Sequence, residues 1–137
     1  MLKILTITDT RDFKKISLNS RKFHSPSLII LMTPTPSRIL QDPKFKPNCQ
    51  NFARFGYTIS KNVDKLATQR NFIKRRLRHI INQIAVKNST IIKNYYDYVI
   101  IAKKQIVELD YADIYNEIES ILNKIILNHE KVTNKLE

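Results

Sequence analysis

The sequence predicts an α/β (α+β) two-layer sandwich: a small sheet carrying a basic helix, a short N-terminal helix and a C-terminal helix. Three observations predict it. Residues 54–60 alternate strictly, with Phe55, Tyr57 and Ile59 pointing one way and Arg54, Gly56, Thr58 and Ser60 the other, as along a strand. Ile73, Leu77, Ile80 and Ile84 recur at helical spacing within residues 68–86, with Ile81 beside them. Ile114, Ile118, Ile121, Leu122 and Ile125 do the same downstream of Asp110. Strand and helix periods that alternate along 137 residues call for helices packed on a sheet around one modest core, so residues 1–137 are read as a single domain.

The elements follow in order. Asp9 or Thr10 is placed to cap a short helix over residues 10–18, with Phe13 and Ile16 on one side. Ser27 to Met32 is an apolar, β-rich run between Pro26 and Pro34. Residues 34–51 hold four prolines and little periodicity, which predicts a long loop of the kind that is usually functional or mobile. Gly56, the only glycine, sits in the middle of the alternating strand and implies a bulge or the close approach of another backbone or a ligand. The basic helix covers 68–86 and breaks at Asn88, and Tyr95 to Ala102 forms another strand. Asp110 is the expected N-cap of the last helix, with Asp113 three residues on. Residues 128–137 are polar and expected to fray.

Charge points to the partner. The net charge is +12, and it is uneven: residues 1–104 carry 21 Lys and Arg against 5 Asp and Glu, residues 105–137 carry 3 against 7. Five cations fall within the nine positions from Arg70 to Arg78. Asn71, Lys74, Arg75 and Arg78 share one face, opposite the isoleucine stripe. Most charged helix faces are simply solvated. Here no acidic residue occurs from Lys65 through Lys87, so nothing on the helix relieves the repulsion, and Lys61, Lys65 and Lys87 extend it. A rigid cationic row of this kind suits closely spaced phosphates.

Other chemistries lack their residues. His24, His79 and His129 are scattered, with no zinc-ligand spacing, and one glycine cannot build a phosphate loop. Asp110 and Asp113 are better explained as a helix cap than as a carboxylate pair, and Glu117 and Glu119 do not share a helix face. Cys49, the only cysteine, lies in a loop-like run and reads as an incidental thiol; a chain without an intrachain disulfide fits a reducing, cytoplasmic setting. No apolar run approaches a membrane span, and residues 1–9 are too short and polar for a secretory signal. A DNA-reading module would need a second helix joined by a short turn, which the order of elements does not offer.

The central block resembles the protein component of bacterial ribonuclease P. Arg54 to Lys61 resembles the family's alternating strand ending in Ser-Lys, and Arg70-Asn71, Lys74-Arg75 and Leu77-Arg78 resemble its arginine-rich helix. Asp97 to Lys103 resembles the next strand, and Arg11 to Ile16 the first helix, so the resemblance covers most of residues 9–126. Phe72 replaces the second signature arginine, Asn62 a lysine, Asp64 a loop glycine and His79 an acidic residue, and the loop 34–51 is longer than expected.

The resemblance implies a ribosomal-protein-S5-domain-2-like fold and a division of labour. An RNA subunit does the chemistry with Mg2+ and removes the 5′ leader of precursor tRNA; the protein carries no catalytic residue and no metal site. Lys61, Arg70, Asn71, Lys74, Arg75 and Arg78 would contact the catalytic RNA. Phe13, with Thr58 and Ser60 beside it, would line the cleft for the unpaired leader, where an aromatic stacks on bases without a sequence code. From pattern alone, Phe13 serves equally as a core anchor, and Thr58 and Ser60 as a wetted strand face. The alternative is a ribosomal or other structural RNA-binding protein, which would share the charge and the α/β plan.

Overall fold

The computed structural model describes residues 2–42 and 51–136. The sheet is built around β4 (Phe52–Thr58) and β5 (Tyr96–Ala102), which run parallel and are joined by the long helix α3 (Ala67–Lys87). Outside them lie β3 (Leu28–Pro34), antiparallel to β5, then β2 (Arg21–His24), antiparallel to β3; on the other side β1 (Lys3–Thr6) runs parallel to β4. The order is β1-β4-β5-β3-β2.

Strand parity sorts the side chains onto two faces. Leu28, Ile30, Met32, Phe55, Tyr57, Tyr98 and Ile100 meet the isoleucine stripes of α3 and of α4 (Tyr111–Leu136) in the main core. Phe55 stacks on Tyr98 at 4.7 Å between ring centroids. The opposite face carries a smaller core of Ile7, Leu31 and Val99 beneath Ile16 of α1 (Thr10–Asn19). Asp9 caps α1, its carboxylate accepting from the Arg11 amide at 2.9 Å, and Asp110 caps the start of α4 by accepting from the Asp113 amide at 2.9 Å.

Several expectations need correction. β1 and β2 do not stand out in the sequence: each has four residues and lies at a sheet edge, where one neighbour suffices and no clean alternation is required. The strand expected at 54–60 is shifted to 52–58, because β1 pairs with its beginning and nothing pairs beyond Thr58. The strand expected from Tyr95 begins at Tyr96, since Tyr95 takes the left-handed φ of 64°. Within the expected loop 34–51, Ser37–Leu40 forms a turn of helix, α2, while Cys49 and residues 43–50 lie outside the described residues. α4 spans Tyr111–Leu136 and so includes most of the segment 128–137.

Candidate nucleic-acid interface

Arg54 shows how α1 is held. Its side chain is buried and donates to both carboxylate oxygens of Asp97, at 2.9 Å from Nε and 2.6 Å from Nη2. Thr35 adds a 2.9 Å bond to the same carboxylate. Nη2 also reaches Asp12 of α1 at 3.4 Å, and Asp12 accepts from Arg38 of α2 as well. Burial works against the Arg54 charge, but the two carboxylates outweigh it and raise the guanidinium above its ordinary value. On this strand face Arg54 and Gly56 are covered, whereas Thr58 and Ser60 are exposed. Arg54 is locked in this network, and Gly56 lies under Phe13.

Gly56 explains the position of Phe13. A Cβ at residue 56 would lie 2.6 Å from both Cε1 and Cζ of the ring. The close approach implied by this glycine is therefore made by a side-chain ring, and the β4–β5 register runs through without a bulge. Phe13 is half-buried: its ring packs against the smaller core and also faces a cleft.

That cleft encloses about 390 Å³ at the point where β1 stops. β1 pairs with β4 only as far as Phe55, and the Ile7 amide donates to the Phe55 carbonyl at 3.0 Å. From Gly56 to Thr58, β4 has β5 on one side and, among the described residues, no strand on the other. The cleft wraps around this open edge. Phe13 and Thr58 line it from the α1 side, Lys74 and Arg78 from α3, and Tyr57 between them. Thr6, Ile7 and Ile59 complete its walls.

The cationic row is displayed on α3 as its spacing predicts. Asn71, Arg75 and Arg78 are exposed, and Lys74 is half-buried at the cleft. Among the described residues none of the α3 cations pairs with a carboxylate; the ion pairs there belong to Arg11, Arg38 and Arg54. Lys61 is exposed in the turn before the helix. Arg70 differs from the rest, since its Nη1 donates to the carbonyls of Asp64 and Lys65 at 3.0 and 2.9 Å and ties that turn to α3. Ser60 lies past the end of β4, is exposed, and does not line the cleft. Phe72 is half exposed, with the Arg76 guanidinium 5.0 Å from its ring centre. His79 shares a 2.9 Å hydrogen bond with the Tyr111 hydroxyl, linking α3 to α4.

Three participants escaped the sequence reading. Tyr57 has the opposite strand parity to Thr58, so alternation alone places it away from the cleft. It returns because the cleft turns the corner of an unpaired edge. Asp12 and Asp97 gave no signal beyond being acids in a basic chain.

Comparison with known proteins agrees with the fold. The profile of the family described as Ribonuclease P matches residues 1–126. The chain is 28% identical to the ribonuclease P protein component of Synechocystis sp. over 98% of its own length and 96% of that protein. It is 26% identical to that of Rickettsia canadensis over 91% of its length and all of the relative. Its fold is similar to the solved RNase P protein of Staphylococcus aureus (TM-score 0.67, 21% identity, covering 90% of this chain and 96% of that one). It is similar as well to the one from Thermotoga maritima (TM-score 0.62, 19% identity, covering 83% and 91%). The chain belongs to the ribonuclease P protein family and is the protein partner of an RNA subunit in the endoribonuclease that matures the 5′ end of tRNA.

Proposed function

We propose that this single domain binds the catalytic RNA through Lys61, Asn71, Lys74, Arg75 and Arg78, with Arg70 bracing the turn that presents Lys61. The same domain guides the unpaired 5′ leader of precursor tRNA along Phe13 and Thr58, with Ser60 at the rim. One observation carries this reading: Lys74 and Arg78 line the same cleft as Phe13, so the cationic row and the aromatic wall form one continuous surface. A strand with its phosphates on the row would present unpaired bases to the ring.

Among the described residues no three His, Cys, Asp or Glu side chains gather as a metal site. No described acid lines the cleft, and Asp12 and Asp97 are committed to Arg54. These residues do not fit a resident Mg2+, and we assign the metal to the RNA. No described helix is long and apolar enough to cross a membrane, and we assign the chain to the cytoplasm, with RNA rather than DNA as its partner.

The test is to combine the protein with a bacterial ribonuclease P RNA and a precursor tRNA. Trimming at the mature 5′ end should appear at magnesium concentrations where the RNA alone is inactive. Binding of a structured RNA without any gain in trimming would favour a structural RNA-binding role instead.

A further inference from the structure

Tyr57 presents an unexplained polar group. Its side chain is 8% exposed, and its hydroxyl is one of two buried side-chain polar atoms without a hydrogen-bond partner among the described residues. An orphaned buried hydroxyl carries a desolvation cost that a phenylalanine at this position would avoid. The main core offers it nothing. The residue nevertheless lines the cleft, between Phe13 on one side and Lys74 and Arg78 on the other. The Arg78 guanidinium lies over the Tyr57 ring, 5.7 Å from its centre. Arg78 is otherwise unpaired among the described residues and is free to swing toward a phosphate. Burial pushes the phenol well above its ordinary value even with Arg78 working the other way, so it stays protonated and able to donate.

We infer that Tyr57 is a specificity-determining residue of the cleft, whose hydroxyl donates a hydrogen bond to an unpaired RNA nucleotide seated between Phe13 and Arg78. The acceptor is an oxygen or ring nitrogen of the base. Movement of Arg78 onto the phosphate uncovers the hydroxyl, so the cation and the phenol act on the same nucleotide. This rests on the leader occupying the cleft, as proposed above, and assigns to this strand position a hydrogen bond that Phe13 cannot make. Phe13 offers only a ring face, which every base can use; a directed donor prefers nucleotides with an acceptor in reach.

The test compares the holoenzyme made with wild-type protein, Tyr57→Phe and Phe13→Ala. Affinities are measured for one precursor tRNA with a leader of several nucleotides and for the same tRNA without a leader. Tyr57→Phe keeps the ring and its approach to Arg78. It should weaken leader-bearing tRNA by roughly 2- to 12-fold, the span of a single net hydrogen bond, and leave leaderless tRNA unchanged. Its thermal midpoint should stay or rise, because an unsatisfied buried hydroxyl has been removed. A scan of single-base changes along the leader should show a preference that is flattened in Tyr57→Phe. Unchanged leader affinity in Tyr57→Phe alongside a clear leader-specific loss in Phe13→Ala would overturn the inference and leave the cleft assignment standing. No leader-specific loss in either variant would reject both. A drop in thermal midpoint with equal loss for both RNAs would make the hydroxyl structural and likewise overturn the inference.

Discussion

Gly56 and Phe13 form the tightest unit at the scale of single residues. The ring lies so close to the strand that an added methyl group would sit 2.6 Å from two of its carbons. Gly56→Ala must therefore move the ring or the helix that carries it, at a cost of about 1–3 kcal/mol for overpacking. Urea unfolding should show this loss, and the same substitution should cost much less in a Phe13→Ala background. Additive losses would mean that the glycine serves some other purpose. Part of this unit was legible in the sequence: a lone glycine inside an alternating strand signals close approach. What approaches was not, because Phe13 lies on a distant segment and an aromatic on an amphipathic helix is usually plain core.

At the scale of elements, helix α3 was readable to within a residue at each end, and α4 at its start but not its end. Their apolar stripes repeat over several turns, and Asp110 marks the start of α4. Strand β4 was readable as a strand, but alternation says only which residues share a face, not what covers that face. Arg54 illustrates the gap: alternation places it on the face opposite Phe55 and Tyr57, but does not show that it is the pin between α1 and the sheet. Removing one partner of a buried pair leaves an uncompensated charge, so Arg54→Ala should cost about 3–5 kcal/mol. Arg38→Ala, whose side chain is half exposed, should cost no more than about 1 kcal/mol, since Asp12 keeps Arg54. Chemical denaturation of both variants checks the ranking; equal costs would show that the network does not hold α1 through Arg54.

For the whole molecule, the division of charge decides the behaviour. The isoleucine stripe buries one side of α3, and the opposite side meets water with cations that no described carboxylate neutralises. Replacing Lys74, Arg75 and Arg78 together by Ala should leave circular dichroism intact. RNA binding should weaken with little regard to RNA sequence. The plot of log affinity against log salt should flatten by roughly 0.7–0.9 for each phosphate that is no longer neutralised. An unchanged slope would remove these residues from the interface. The row itself was visible in the sequence. Its union with the aromatic wall was not, because it depends on where β1 ends, and four edge residues carry too little pattern to reveal that.

The early end of β1 also bears on how the protein avoids itself. A strand edge without a neighbour is a template on which another chain can add, and natural sheets blunt such edges with charge. From Gly56 to Thr58 no described strand pairs with the outer edge of β4, and Lys74 and Arg78 stand beside it. Two copies of the molecule meeting edge to edge would bring these cations together and repel, whereas a polyanion would be drawn in. The side chains proposed to hold RNA would thus also oppose the addition of a second copy at this strand end.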